Sequence, residues 1–461
     1  MAQDVPPTPS PRPQTSAARP PTRPRRKLPG WLKATVAVFA AGIPWLDYRT
    51  SSDVRDRNAH RLYADMLWTA VFSAAAAFNG AFALRLGASN ELIGLLTSAP
   101  PFVVALLTIP FSRLVERTSN HAWLIARSVF AHRAGYLLVA LLPFVVVTGR
   151  AEAFVAVIVV MTIPAALVNI SFTSTFAEIV PEDRRATVVS VRAILASAVV
   201  MCLTPLFGHW LDLVGFPANY QALYLAGFVT SMLAVVALGR FEVPIRAARP
   251  ATLARPGSGR SRGRFDLAAT WRLFADETPF ARIVIDTLAH GLGAWLVAPL
   301  YIIYYVKILH ATDGWIGTFT ALASLSAALG YYIWRRVITR WGEGWPLRVT
   351  IPASGLFPLL VGLSGNLNLI LVFAVLNGLI QPGAAIAHFN TLLRVCPNDR
   401  RPTFLAVFTT IMNTGAFVAP LIGVALASAI GINAALFVGA GIWICGGLLF
   451  TILPVRPKPA H

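Results

Sequence analysis

Twelve long apolar runs, separated by short charged connectors, constrain the fold of this chain more than any other feature of its sequence. A helix that crosses the roughly 30 Å hydrocarbon core of a bilayer needs about 20 apolar residues, and each run has about that length. The runs, numbered here as spans 1 to 12, cover residues 62–86, 91–112, 123–147, 152–178, 187–211, 219–240, 280–306, 314–337, 347–364, 368–393, 403–428 and 433–454. Charged residues make up 13% of the chain, against about 25% in soluble domains, so we expect lipid to cover much of the surface. The sequence therefore predicts an all-α integral membrane protein with twelve transmembrane helices.

Lysine and arginine are concentrated in alternate connectors and in both terminal segments. The connectors after spans 2, 4, 6, 8 and 10 hold most of them, whereas the opposite connectors hold only Arg85, Arg150 and Lys307. Because basic connectors stay on the cytoplasmic side of a membrane, we expect both termini in the cytoplasm. The chain has a formal net charge of +19, and a strongly basic chain is also typical of nucleic-acid-binding proteins. Here the charges lie beside apolar spans, so no nucleic-acid partner is expected.

The hydrophilic segments divide the chain into five parts. We predict a disordered basic tail at 1–60, a six-helix bundle at 61–240, a cytoplasmic central loop at 241–278, a second bundle at 279–455 and a short tail at 456–461. Within the first tail, the apolar run 31–46 is too short to span, and we expect an interfacial segment or a loose amphipathic tether there. The three cysteines have neither metal-site nor disulfide spacing, so we expect them to be packing residues.

The two sets of six spans are copies of one unit. LGASNELIGLLTS at 86–98 matches LHATDGWIGTFTA at 309–321, and PEDRR at 181–185 matches PNDRR at 397–401. Since a unit of six spans returns the chain to the side where it entered, both copies have the same orientation. They are then related by an axis along the membrane normal.

Six plus six parallel spans with a basic central loop resemble the major facilitator superfamily of transporters, over about residues 60–455. That superfamily has a G-x-L-a-D-r-x-G-r-r motif after span 2. Here SRLVERTSNH at 112–121 keeps Leu114 and Arg117 and has Glu116 at the acidic position. The second copy, RRVITRWGEG at 335–344, has Thr339 at that position. The resemblance implies the superfamily fold and a multi-pass protein of a bacterial cytoplasmic membrane, without assigning a subfamily.

The resemblance also implies a gating role for the charged connectors. We predict latches between the bundles, made and broken during alternating access, with the first DRR copy as the working gate. The alternative is that these charges set topology and contact only lipid phosphates. The predicted gating residues are Arg113, Glu116, Arg117, Glu178, Asp183, Arg184, Arg185, Arg336, Arg340, Asp399, Arg400 and Arg401.

In the superfamily, the first and fourth span of each half line the central cavity, and the polar residues of this chain are concentrated on those spans. Polar groups in a span usually face protein or water rather than lipid. The predicted substrate-binding residues are Asn79, Asn169, His290, Asn377 and Gln381. The alternative is hydrogen bonding between helices.

Asp286 and His290 lie four residues apart, on one face of span 7. A carboxyl group beside a histidine can exchange protons, so we predict that this pair couples transport to protons. The alternative is a local Arg282–Asp286 ion pair, which the same spacing of Arg61 and Asp65 in span 1 favours.

No nucleotide-binding loop, zinc-site spacing or Ser-His-Asp arrangement is present, so we expect no catalytic residue, no metal, no cofactor and no enzymatic activity. The predicted function is proton-coupled transport of a small organic solute by a monomer in the lipid bilayer. A drug/proton antiporter-type multidrug exporter of the same fold is the first alternative, weakly supported by TPLFG at 204–208 and APLIG at 419–423. A membrane scaffold that transports nothing is the second.

Overall fold

The computed structural model describes residues 54–118, 120–180, 182–239, 278–396 and 401–452, and it confirms twelve helices long and apolar enough to cross a membrane. Spans 1 to 6 comprise Val54–Ala76 with Asn79–Arg85, Asn90–Arg117, His121–Val145, Arg150–Ile179, Glu182–Leu213 and Ala218–Leu238. Spans 7 to 12 comprise Thr278–Ile303 with the π-helical Tyr304–Ile308, Asp313–Trp341, Gly344–Ser354 with Leu356–Leu363, Leu367–Val395, Arg401–Ile430 and Ile432–Ile452. Residues 54–60 of the predicted disordered tail are helical instead and begin span 1. The rest of that tail with the interfacial segment at 31–46, the C-terminal tail and nearly all of the central loop lie outside the described residues.

Several helices continue past the apolar runs that predicted them. Span 2 ends at Arg117 and span 8 at Trp341, rather than at residues 112 and 337. The arginines of the charged motifs therefore lie on the last turns of helices and not in connectors. This extension is possible because long basic side chains reach water or lipid headgroups while their helix continues.

The internal repeat has the same local structure in both copies. Ser89 accepts a hydrogen bond from the Leu92 backbone at the start of span 2, and Thr312 accepts one from Trp315 at the start of span 8. Two residues before each cap, Gly87 and His310 have positive φ angles of 90° and 51°. Each cap satisfies a backbone N–H that the first helical turn leaves free.

The two halves contact each other mainly through span 5 against span 8 and span 2 against span 11. Gly208 and Gly317 allow the closest approach of spans 5 and 8, since a Cβ at either position would collide with backbone atoms of the other span. Small residues at helix interfaces bring backbones together and increase van der Waals contact.

The two ends of the molecule differ in their contacts. We call the end where the connectors after spans 2, 4, 8 and 10 lie the basic end, and the other the opposite end. Every hydrogen bond and ion pair that is described between the two halves lies at the opposite end. Phe102 and Phe417, with ring centroids 4.6 Å apart, extend the contact to the middle of spans 2 and 11.

Candidate functional site

A buried polar group lies inside the second half, where span 7 packs against span 10. We call it the two-histidine cluster: Asp286, Thr287 and His290 of span 7 with His388 of span 10. The Thr287 hydroxyl and the His388 Nε2 atom are 2.6 Å apart, and the His290 Nδ1 atom is 3.0 Å from the Asp286 carbonyl oxygen. The two imidazole rings are 6.4 Å apart, and Phe450 packs against both.

The hydrogen-bond partners assign the protons on both imidazoles. A carbonyl oxygen only accepts, so His290 Nδ1 carries the proton that it donates to the Asp286 carbonyl. Thr287 donates its hydroxyl proton to the Ile283 carbonyl, so His388 Nε2 donates to the Thr287 oxygen. His290 Nε2 and His388 Nδ1 are left able to accept a proton.

Asp286 is 2% exposed, and its Oδ2 atom has no hydrogen-bond partner among the described residues. Arg282, one turn earlier, makes no ion pair with it, and the Arg282 Nε atom is also buried without a described partner. Burying a carboxylate without a partner is costly, and binding a proton or gaining a cation removes that cost. Binding a proton or pairing with a cation would therefore stabilise the Asp286 carboxyl group in its buried position.

The equivalent carboxylate of the first half, Asp65, is fully partnered. Its Oδ2 atom lies 3.1 Å from the Arg192 guanidinium of span 5, and Thr69 donates to its Oδ1 atom. Arg61, which has the same spacing to Asp65 as Arg282 has to Asp286, donates to Asn58. When the two DRR motifs are aligned, Phe408 of the second half occupies the position that Arg192 has in the first half. Asp286 therefore lacks the cation that its counterpart has.

Arg133 of span 3 faces the interior of the first bundle. It is 6% exposed, its guanidinium lies 3.7 Å from the Phe72 ring centroid, and its Nη2 atom is 3.4 Å from the Thr69 hydroxyl. The first half thus has two buried cations near Asp65. Arg192 pairs with the Asp65 carboxylate, and Arg133 adds a second positive charge to the interior of this bundle.

The structure brings only one of the predicted substrate residues, His290, into the two-histidine cluster. Asn79 accepts hydrogen bonds from the Tyr136 and Tyr224 hydroxyls at 3.5 and 2.9 Å, as the helix-packing alternative predicts. Asn169 and Gln381 are exposed, and the side-chain oxygen of Asn377 is buried without a described partner. Sequence reasoning missed two residues of the cluster, Thr287 and His388. Their positions on spans 7 and 10, which the resemblance implies line the central cavity, were the available signal.

The predicted gating residues whose side chains are described lie at the basic ends of spans 2, 5 and 8. Arg113, Glu116 and Arg117 are exposed at the end of span 2 and make no ion pair among the described residues. Arg184 is exposed, and Arg185 donates to the Val180 carbonyl. Arg336 and Arg340 lie over the rings of Tyr332 and Trp341. Asp399 and Arg400, and the side chains of Glu178, Asp183 and Arg401, lie outside the described part of the chain.

A second polar group, which the sequence did not predict, joins the two halves at the opposite end. We call it the opposite-end cluster: Arg85, Asp212, Tyr220 and Asp313. Arg85 Nη2 and the Tyr220 hydroxyl donate to one Asp313 oxygen at 3.0 and 2.8 Å. Asp212 accepts from the backbone N–H groups of Asp313 and Gly314 at 2.9 and 2.8 Å, and so places a negative charge at the start of span 8.

Three residues of this cluster, Arg85, Asp212 and Asp313, line a cavity of about 260 Å³, together with Asn219 and His310. Beside it, Lys307 donates to Asn90 at 2.8 Å. Arg85 and Lys307 are two of the three basic residues that the sequence places in the opposite connectors. In the sequence they served only to assign topology, because their partners, Asp313 for Arg85 and Asn90 for Lys307, are more than 200 residues away in the chain.

The comparisons with known proteins agree with this architecture. Residues 283–461 match the family model described as Major Facilitator Superfamily. No curated protein matches. The predicted resemblance to this superfamily, and the predicted two-bundle helical fold, are confirmed.

Three solved structures share the fold at low sequence identity. One is a bacterial homologue of the human lysosomal transporter Spinster, inward-facing and unoccupied, with 15% identity, 89% of this chain and 100% of that chain covered, and a TM-score of 0.60. A structure of the nucleoside transporter NupG has 14% identity, 87% and 99% coverage and a TM-score of 0.61. A POT family transporter in complex with 5-aminolevulinic acid has 12% identity, 86% and 95% coverage and a TM-score of 0.65.

Proposed function

We propose, for this multi-pass membrane protein with the fold of the major facilitator superfamily, secondary active transport of a small organic solute by alternating access, coupled to protons. The observation that supports alternating access most directly is the one-sided contact between the halves. Described polar contacts join the halves at the opposite end, and all of them are hydrogen bonds or ion pairs that can break and re-form. Breaking them would open that end.

The distribution of basic residues supports an orientation for this arrangement. If the basic end faces the cytoplasm, as the positive-inside rule predicts, then the opposite-end cluster closes the outer side. The described arrangement would then be open toward the cytoplasm. Asn169 and Gln381, exposed amides on spans 4 and 10, would be available to hydrogen-bond a polar solute from that side.

Asp286 is our proposed coupling residue because it is buried without the cation that its counterpart Asp65 has. In one state it would carry a proton and stay unpaired. In the other it would be charged and paired with Arg282, whose Nε atom is also unpartnered here. Proton coupling and the Arg282–Asp286 pair, which the sequence offered as alternatives, would thus describe two states of the same carboxyl group. His290 and His388, each with one nitrogen able to accept, would carry protons to and from it.

The test is solute-dependent quenching of an internal pH probe in proteoliposomes that contain the purified protein. The panel comprises sugars, amino acids, nucleosides, organic acids and cationic dyes. A proton flux driven by one small organic class supports the proposal, and a flux driven mainly by dyes supports the multidrug exporter. Correctly inserted protein that moves neither solute nor protons with any class supports the scaffold.

A further inference from the structure

We propose that a cavity on the basic end of span 8 binds the phosphate group of an anionic phospholipid. The cavity has a volume of about 440 Å³ and is lined by Tyr332, Arg335, Arg336, Thr339 and Arg340. These residues follow a three-and-four spacing, so they form one face of the helix.

The three arginines of this cavity have no carboxylate partner among the described residues, and all three are exposed. The two copies of the charged motif differ here. In the first copy, Glu116 lies between Arg113 and Arg117, and Ser112 precedes them. The second copy has threonine in place of the glutamate and arginine in place of the serine. The change removes one negative charge and adds one positive charge, so the second copy is suited to an external anion.

Phosphate is the anion that this arrangement fits best. A guanidinium group presents several N–H donors in one plane and can donate two hydrogen bonds to one phosphate. The Thr339 hydroxyl donates to the Arg335 backbone carbonyl at 2.8 Å, so the three arginines supply the donors for the anion. Arg336 lies 4.1 Å from the Tyr332 ring centroid, which holds its guanidinium beside the cavity.

The surroundings of the cavity favour a lipid over a soluble phosphate. Leu325 and Leu329 are exposed on the same helix face, toward the middle of the span, where they would contact acyl chains. On the other side, Trp341 and Trp345 are exposed, with ring centroids 5.6 Å apart. Tryptophan and tyrosine are enriched where the bilayer meets water. From the middle of span 8 to its end, the residues are therefore apolar, then cationic, then aromatic. This order matches the acyl chains, the phosphate group and the interface of a phospholipid layer.

This inference does not depend on the proposed transport function. It gives Arg336 and Arg340 the role of lipid contacts, which was the alternative to gating for the charged motifs. A bound anionic lipid would anchor the second half at the basic end while the first half moves.

The test measures lipid preference in nanodiscs that contain equal amounts of phosphatidylglycerol and phosphatidylcholine. Native mass spectrometry counts the retained lipids. The part of the tryptophan quenching by brominated phosphatidylglycerol that is lost in a W341F/W345F variant reports proximity to these two residues. We expect the wild-type protein to prefer phosphatidylglycerol. The R335Q/R336Q/R340Q variant should lose that preference by about fivefold for each arginine removed. The control R113Q/R117Q, in the first copy, should keep it.

A second variant avoids deleting any arginine. Thr339→Glu restores the acid of the first copy, and it should also lower the phosphatidylglycerol preference, with an unchanged unfolding temperature. An equal loss in the R113Q/R117Q control would show diffuse attraction and would overturn the proposal. Phosphatidylglycerol displaced equally well by inorganic phosphate would assign the cavity to a soluble anion and would also overturn it.

Discussion

The opposite-end cluster makes the sharpest prediction, because one substitution should shift the balance between the two states of the protein. Arg85 donates to one Asp313 oxygen from Nε at 3.2 Å and from Nη2 at 3.0 Å. The Asp313 side chain is 3% exposed and that of Arg85 is 32% exposed. A hydrogen bond to a charged group contributes about 1.5–3 kcal/mol. Allowing for the partial exposure of Arg85, we expect Arg85→Ala to cost about 2 kcal/mol, or about a 30-fold shift toward opening of the opposite end.

The distance between two spin labels across the opposite end measures this shift. Val147 and Leu363 are exposed there, one in each half, and suit labelling through cysteine in a cysteine-free background. Arg85→Ala should move the distance distribution to longer values. The control is Arg150→Ala, since Arg150 donates only to carbonyl groups of its own half, those of Val146 and Pro143. An Arg85→Ala distribution identical to that of the wild type would refute the idea that this contact holds the end closed.

Three further predictions concern other contacts. Arg192→Ala should lower the unfolding temperature, because it leaves the buried Asp65 carboxylate unpaired at a cost of about 3–5 kcal/mol; an unchanged thermal melt in detergent would count against the pairing. Gly317→Ala should lengthen the same spin-label distance, because the added methyl group collides with the Thr204 carbonyl of span 5. His388→Phe keeps a ring but loses the hydrogen bond to the Thr287 hydroxyl. It should slow solute-driven proton flux while solute binding by calorimetry stays intact, and an equal loss of both would contradict a role in proton movement.

The sequence predicted the features that depend on local composition. Each span could be located because the length of an apolar run is itself a local property. The repeat was visible because its caps and turns use the same kinds of residue in both copies, as Ser89 and Thr312 show. The added helical turns, such as those that carry Arg340, were missed because hydropathy marks the hydrocarbon boundary and not the end of a helix.

Contacts between distant residues could not be predicted in this way. Asp313 reads as an ordinary acid in the first turn of a helix, but its partner Arg85 lies 228 residues earlier in the chain. For Asp65, the four-residue spacing suggested Arg61, whereas the fold directs the carboxylate inward to Arg192. The absence of a matching cation at Asp286 is visible only after spans 5 and 11 are placed on equivalent sides of the two bundles. Helix orientation, rather than helix position, is what the sequence did not determine.

Solute-driven proton flux in proteoliposomes with Asp286→Asn tests the central proposal most directly. The matched control is Glu152→Gln, an exposed carboxylate at the opposite end of span 4. Our account predicts that Asp286→Asn still exchanges solute across the membrane but moves no protons with it, whereas Glu152→Gln does both. Proton flux that persists in Asp286→Asn at the wild-type ratio to solute would contradict the account.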